Sequence, residues 1–361
     1  MTFDPKKPYN DLPPLPPKAD VETKAILKKT IAARSALAEL KGLGNTIPNQ
    51  TLLVDSLILQ EAKASSEIEN IITTSDALFR AFAANMKQAD PATKEVLRYR
   101  EALWKGYNLL KKRPLLATNL FIEIVQTIKE HSGGIRNIPG TAVASAATGR
   151  VVYTPPEGEA IIRDKLKNLE DFIHVDNDLD PLIKLAVIHY QFEAIHPFSD
   201  GNGRAGRIIN ILFLVQKGLL DLPVLYLSKA IIERKNDYYK LLRQVTEKNL
   251  WEPWILFLLE AVEETAVFTR ERILAIGDLM AKTMEKAKEK LPGRVYSKDL
   301  IETIFRQPYA KGQFLVDAGI AKRQTAAEYL KELEKLKILK AIKLGKETLY
   351  LNVDLYKLLS K

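Results

Sequence analysis

The densest chemistry in the chain lies in one run of twelve residues, His196-Pro197-Phe198-Ser199-Asp200-Gly201-Asn202-Gly203-Arg204-Ala205-Gly206-Arg207. It holds a base, an acid, flexible glycines and two arginines. An apolar helical stretch precedes it, and Ile208-Ile209-Asn210-Ile211-Leu212-Phe213 continues it as another helix. Gly-Asn-Gly at a helix start leaves main-chain amides free, and the helix dipole there favours negative charge. Arg204 and Arg207 stand one turn apart, so both guanidinium groups can face one polyphosphate. Asp200 suits Mg²⁺, which binds through one or two carboxylates plus phosphate oxygens. His196 has the basicity to draw a proton from a hydroxyl. No other segment combines a phosphate cradle, a metal ligand and a base.

The elements that must position this run are mostly helical. Residues 1–20 hold six prolines, including Leu12-Pro13-Pro14-Leu15-Pro16-Pro17, and read as an extended arm laid on the protein's own surface. Helical periodicity covers 21–41 and 50–72, with Gly42, Gly44 and Pro48 between them and Asn49 as a cap for the second. Further helices are expected at 75–87, 91–111 and 118–131. Gly133, Gly134, Gly140 and Gly149 then punctuate a β-branched stretch, and Gly149-Arg150-Val151-Val152-Tyr153-Thr154 reads as a hairpin strand stopped by Pro155-Pro156. Helical patterns resume at 157–174, 181–194, 204–217, 228–246 and 251–290. Three short helices at 297–305, 310–318 and 325–336, then alternating strands around Gly345, spell a winged helix-turn-helix. The expected division is an arm (1–20), an N-terminal helical region (21–111), a catalytic core with its following helices (112–290) and the winged helix (291–361).

Composition narrows the function classes. Lys plus Arg is 54 and Asp plus Glu is 45, a net +9. Residues 281–361 carry 18 basic and 10 acidic residues, so the tail holds nearly all of that excess. A basic tail suits an anionic partner, and DNA bound through residues 295–361 is one expectation. Lys322, Arg323, Lys331, Lys335, Lys337 and Lys340 surround the expected recognition helix, while Glu328, Glu332 and Glu334 on it oppose a phosphate backbone. The alternative for the tail is a protein-interaction or dimerisation module, and a homodimer is among the assemblies this allows. There is no cysteine, which excludes disulfides, a thiolate nucleophile and Cys-ligated zinc. No apolar run approaches the ~20 residues of a membrane span, and no signal peptide is visible, so a cytoplasmic protein is expected. His189 lies seven residues before His196 and shares a helical face with it if the helix continues, but a third ligand for catalytic zinc is missing at helical spacing, so His189 reads as a packing residue. His131 and His174 read as surface positions.

The run from His196 to Arg207 matches H-x-F-x-[DE]-G-N-G-R-x-x-R at all eight defined positions, the signature of the Fic family, and the chain resembles that family. Gly134-Ile135-Arg136 and Val152-Tyr153-Thr154-Pro155-Pro156 look like the family's flap. Ser65 to Asn70 is similar to its inhibitory [ST]-x-x-x-E-[GN] motif. Asp237-Tyr238-Tyr239 and Trp251-x-x-Trp254 look like its later landmarks. The resemblance implies a mainly α fold, a Fic helical core with a β-hairpin flap. It also implies transfer of AMP from ATP, with Mg²⁺, to a Tyr, Thr or Ser hydroxyl of a target protein, the chain itself included.

By the same resemblance His196 is the base and Asp200 the Mg²⁺ ligand. Gly201, Asn202 and Gly203 hold the α- and β-phosphates, and Arg204 to Arg207, with Ala205 and Gly206 between, complete the ATP site. Tyr238 and Tyr239 border the adenine. The family often has an Asn further along that helix; Thr246 and Asn249 stand nearest here. Val152 and Tyr153 grip the target by main-chain pairing. Glu69, with Ser65 and Asn70 in its motif, would inhibit by pairing with Arg207, while Glu67 and Ser65 read as surface and cap groups. Two alternatives stand beside this reading. Glu69 positions a water that removes AMP from a modified protein, or the chain is a DNA-binding regulator whose Fic domain senses nucleotide.

Overall fold

The computed structural model describes residues 3–44, 50–84, 89–144, 148–344 and 347–360. The proline-rich arm lies on the protein's own surface. Leu12 and Leu15 are buried. Gln191 donates to the Pro13 carbonyl at 3.0 Å, and Asn168 exchanges two hydrogen bonds with Leu15 at 2.7 and 3.1 Å. An arm that cannot form a ladder of its own thus has its carbonyls satisfied by side chains of the body.

Five helices follow: α1 (Lys24–Gly44), α2 (Gln50–Ile68), α3 (Ser75–Ala83), α4 (Pro91–Lys112) and α5 (Thr118–Lys129). Asp90 caps α4 by accepting from Thr93 N, with Pro91 at the first turn where a missing amide costs nothing. The flap is a two-stranded antiparallel hairpin, β1 (Val143–Ala144) and β2 (Val151–Tyr153), with Val143 opposite Tyr153. Then come α6 (Glu159–His174), α7 (Pro181–Ile195), α8 (Asn202–Gln216), α9 (Leu227–Glu233), α10 (Lys235–Lys248) and α11 (Trp251–Lys290). From Leu182 to Ile195 every residue of α7 but Glu193 is buried, so this helix is the centre of the core. It packs against α6, α8 and α11, and it ends one residue before His196. The 40-residue α11 spans about 60 Å at 1.5 Å per residue and carries the chain from the core to the tail.

The tail holds α12 (Lys298–Phe305), β3 (Tyr309–Ala310), α13 (Gly312–Asp317), α14 (Arg323–Lys335), β4 (Leu339–Leu344), β5 (Glu347–Asn352) and α15 (Val353–Leu359). Its sheet has the order β3-β5-β4, all antiparallel. The three helices and the hairpin match the sequence expectation; β3 and α15 are additional. The tail touches the N-terminal helices directly. Ser56 of α2 donates to the Arg306 carbonyl at 3.0 Å, and Gln60 of α2 donates to the Leu359 carbonyl. Tyr309 is buried, donates its hydroxyl to Asp76 and accepts from Arg80 Nε at 3.1 Å. We expect Tyr309→Phe to lower stability by about 1.5 kcal/mol, the low end for a hydrogen bond to charged groups because Asp76 and Arg80 still hold each other. Thermal denaturation of the full chain measures this.

Two helix limits differ from expectation. The helix expected over 228–246 breaks at Arg234, whose guanidinium is drawn to Glu260 at 2.9 Å and Glu264 at 2.6 Å on α11. The helix expected to reach 72 ends at Ile68, because Asn70 turns left-handed at φ 61°. Ile71 N bonds the Ser66 carbonyl and Asn70 N the Glu67 carbonyl, both at 3.0 Å, which is a Schellman ending. Pro48, Asn49 and Gly345 lie outside the described residues, as does the last turn of the helix expected over 75–87.

Candidate active site

His196 is where α7 stops. It takes the left-handed conformation, φ 49° and ψ 58°, and its amide closes on the Phe192 carbonyl at 3.0 Å. A non-glycine residue held there costs of order 1–3 kcal/mol and persists only where its surroundings impose it. Arg136 is one such constraint. It is buried, and its Nε donates to the His196 carbonyl at 2.7 Å while a second nitrogen reaches the carbonyls of Pro156 and Ile195. The residue is partly exposed, yet burial of the ring, followed by the charge of Arg136, holds its pKa down to about 4. The ring is therefore neutral at pH 7, the state a general base needs.

The loop after His196 is locked by Asn202. Its side-chain oxygen accepts from Phe198 N and its amide donates to Phe198 O, both at 2.8 Å. Phe198 itself is buried against Phe192. Gly201 opens α8 at φ 82°, a conformation glycine adopts without strain, and no side chain caps the helix. The side chain of Asn202 is thus spent on the loop, and the main-chain N–H groups of Asn202 and Gly203 in the first turn carry no side-chain cap. Ala205 is buried in the core. Gly206 leaves room for Glu193, since a Cβ there would sit 2.5 Å from Glu193 Oε1. Burial pushes the Glu193 carboxyl up to about 8, against the pull of Arg207, so it stands largely neutral beside that arginine.

Both arginines of the run are 1% exposed. Arg207 donates Nε to Ser65 Oγ at 2.7 Å, and Nη2 to the Ser65 carbonyl and to Glu69 Oε1, each at 2.8 Å. Burial is the largest single influence and works to lower the pKa of Arg207, but Glu69, by charge and hydrogen bond, together with Tyr238 and Glu193 turns the net shift upward. Ser65 is fully buried and receives that arginine, so the reading of Ser65 as a cap or surface group is corrected. Glu67 pairs with Lys63 at 3.7 Å on the surface. Glu69 is the last residue before the Asn70 turn, and it lies over the start of α8. A Cβ added to Gly203 would fall 2.2 Å from Glu69 Oε1 and 3.0 Å from Arg207 Nη1. A carboxylate therefore stands where free amides and a guanidinium converge.

On the other side of the loop, Asp200 is 58% exposed at its side chain and pairs with Lys129 at 2.6 Å. Lys129 also meets Glu95 at 2.7 Å, and Glu95 accepts from Arg204 Nη1 at 2.6 Å. Burial is the largest single influence and acts to raise the pKa of Asp200, but the Lys129 hydrogen bond and charge, the Arg204 charge and the Gly201 amide together hold the carboxyl below its ordinary value. Among the described residues no set of three His, Asp or Glu side chains could cage an ion. One open carboxylate beside an uncapped helix start fits a Mg²⁺ ion that brings phosphate and water oxygens as its other ligands.

The remaining expected site residues lie around this centre. Tyr238 is buried, bonds His189 Nε2 at 2.9 Å and packs on Trp254, while Tyr239 is 43% exposed beside it. His189, stacked on Trp254 as well, is thus a packing residue. Thr246 and Asn249 are committed elsewhere, to Tyr190 at 3.0 Å and to Trp251 Nε1 at 2.8 Å. In the flap, the Tyr153 hydroxyl donates to the Ala194 carbonyl at 2.7 Å and its ring meets Phe3 and Tyr9 of the arm, while Val152 is partly exposed. Asn70 accepts from Lys235 at 3.2 Å. Glu95, Lys129 and Glu193 were not singled out from the sequence; Glu95 and Lys129 have the spacing of an amphipathic helix surface, whereas Glu193 is a lone carboxyl in the mostly apolar second half of α7 and could have been noticed for that.

Comparison with known proteins places these features in a family. The Fic/DOC family N-terminal domain matches residues 27–108 and the Fic/DOC family domain matches residues 115–214. The C-terminal domain of SoFic-like protein adenylyltransferases matches residues 279–355. The chain belongs to the Fic/DOC family. It is 24% identical over 196 residues to a probable protein adenylyltransferase of Aquifex aeolicus, covering 54% of this chain and 57% of that protein. It is 32% identical over 89 residues to protein adenylyltransferase Fic-1 of Caenorhabditis elegans, covering 24% of this chain and 16% of that one. The chain thus spans less than two thirds of either relative. Among solved structures, a Fic family protein from Desulfovibrio desulfuricans G20 superposes with a TM-score of 0.59 at 18% identity, over 94% of this chain and 99% of that one. Fic-1 from C. elegans gives 0.53 at 20% identity over 69% and 74%. The fold is that of the family, mostly helical with small antiparallel sheets.

Proposed function

We propose that the chain transfers AMP from MgATP to a Tyr, Thr or Ser hydroxyl of a target protein, and that Glu69 holds this activity down. The observation that carries the reading is the convergence at the start of α8. Uncapped amides, the Arg207 fork and an occupying carboxylate meet there, and the neutral His196 lies on the adjoining loop. The names of the relatives support the same activity.

The residues would act as follows. His196 takes the proton of the target hydroxyl as the oxygen attacks the α-phosphorus. The bond from that phosphorus to the α,β-bridging oxygen breaks, pyrophosphate leaves, and the target keeps AMP as a phosphodiester. The amides of Asn202 and Gly203 receive phosphate oxygens at the helix start. Arg204 and Arg207 neutralise the charge that moves to the leaving group. Asp200 would hold Mg²⁺, which neutralises phosphate charge when bound. The half-exposed flap strand offers its edge to an extended target segment.

The test separates AMP transfer from phosphorylation. The purified chain, wild type and Glu69→Gly, is incubated with lysate proteins and Mg²⁺ and with ATP labelled on either the α- or the γ-phosphate. Covalent protein labelling from the α-label alone is expected. Labelling from the γ-phosphate, or none from the α-phosphate with either protein, overturns the proposal.

A further inference from the structure

Four charges from three helices and the loop close into a ring next to the phosphate cradle. Lys129, the last residue of α5, bridges Asp200 Oδ2 at 2.6 Å and Glu95 Oε1 at 2.7 Å. Glu95, on α4, also accepts from Arg204 Nη1 at 2.6 Å, and Arg204 Nη2 lies 3.5 Å from Asp200 Oδ1. The contacts of α4 with α5 and α8, and of α5 with α8, hold the ring's members together. The stem of Lys129 runs along the loop glycine. A Cβ added to Gly201 would lie 3.6 Å from its Cγ and 3.8 Å from its Cδ. The lysine is thus guided to this place by packing as well as by charge.

Exposure in the ring is graded. Arg204 is 1% exposed, Glu95 19%, Lys129 21% and Asp200 58% at the side chain. Arg204 and Glu95 form the fixed end. The open end is the Asp200 carboxylate, and the group on one of its oxygens is an ammonium, a compact and strongly hydrated point charge on a flexible stem. A divalent cation needs that same carboxylate, and two cations on one carboxylate repel each other. Glu95 gives the ammonium a second place to rest, on the same side as Arg204 and within reach of the cradle.

We propose that Lys129 is the resident counter-ion of Asp200, that it yields this carboxylate to the divalent cation arriving with the nucleotide, and that Glu95 then keeps its ammonium beside the phosphates. Lys129 is a positioning residue in this scheme. It disfavours a metal ion without nucleotide, and it adds positive charge for the nucleotide itself. The inference rests on Asp200 being the metal ligand of the proposed function.

The two consequences have opposite signs, which a purely structural role would not produce. Mn²⁺ serves as the metal probe and α,β-methylene-ATP as a nucleotide that the attack cannot cleave. Mn²⁺ binding to the chain without nucleotide is followed by electron paramagnetic resonance. Metal-free nucleotide binding is followed by calorimetry. Lys129→Met keeps the stem and removes the charge. It should tighten Mn²⁺ binding and weaken metal-free nucleotide binding, each by about fivefold, the scale of one partly exposed ion pair. Lys129→Arg should stay within twofold of wild type in both. If Lys129→Met melts early, Lys129→Gln is read instead. Both affinities within twofold of wild type in the neutral variant, or both moving the same way, overturn the proposal. Asp200→Asn separates the two layers. If it leaves Mn²⁺ binding in the presence of nucleotide unchanged, the metal role of Asp200 fails; if it abolishes that binding while Lys129→Met does nothing, only the role of Lys129 fails.

Discussion

His196→Ala should lose about 10²–10⁴-fold in the rate of AMP transfer, the range that a positioned general base contributes. Its affinity for MgATP should stay within a fewfold of wild type. The second expectation follows from the geometry, because the groups that face the nucleotide are held in place independently of the imidazole. The α8 amides, Arg204 and Arg207 are held by Asn202, Glu95 and Ser65, none of which bonds the imidazole. The pH profile gives an independent check. The neutral ring is the active form, and its pKa is lowered to about 4, so the acid limb moves down from the ordinary value near 6.5. The wild-type kcat/KM for ATP, which reports the free enzyme, should hold between pH 8 and 5 rather than halve near pH 6.5. Folding is linked with the same sign. A depressed histidine contributes stability in full above its unfolded pKa of about 6.5 and loses it as pH falls toward 4. Rates are therefore to be read above pH 5. Transfer by His196→Ala near the wild-type rate would remove His196 from the mechanism.

What could be read beforehand, and what could not, divides by distance along the chain. The run from His196 to Arg207 was legible because a phosphate-binding helix start is a local object. Its glycines, its base and its arginines sit within three turns, and the structure keeps them on one loop and one helix face. The inhibitory segment was legible in part. Only its resemblance to the family's inhibitory motif pointed to a carboxylate near Arg207, since the segment alone reads as a solvated helix face, and the structure adds the reason for the last position. Only a residue that tolerates positive φ ends α2 there and leaves Glu69 at the tip. Ser65 was misjudged because a serine in a charged stretch looks solvated, and its burial depends on Arg207, 142 positions away. Glu95 and Lys129 gave no sign for the same reason. Each has the spacing of an ordinary helix surface, and only the packing of α4 and α5 against α8 brings them to Asp200 and Arg204.

Replacing Glu69 with Gly should raise AMP transfer, self-labelling included, by tenfold or more. Glu69 acts in two ways that the structure separates. Its charge engages Arg207 Nη2, and its bulk covers Gly203 at the start of α8. ATP bound beside it would have its terminal phosphates pushed from that position and its α-phosphate turned from the in-line path. A misplacement of about 1 Å costs ~10²-fold in rate. Removal should leave the arginine in place, because Ser65 still holds its Nε and Nη2 at 2.7 and 2.8 Å. The fork is then free for phosphate, which accepts two parallel N–H bonds as a carboxylate does. Glu69→Gln divides the two effects. It keeps the bulk over Gly203 and removes the charge, so its rate should fall between wild type and Glu69→Gly. The double variant Glu69→Gly, Arg207→Ala should lose the gain, since the freed guanidinium does the orienting. Initial rates of incorporation from α-labelled ATP, measured for all four proteins at saturating MgATP, decide the matter. If Glu69→Gly is no faster than wild type on several targets, or if the double variant keeps the full gain, the contact between Glu69 and Arg207 joins two helices without restraining the reaction.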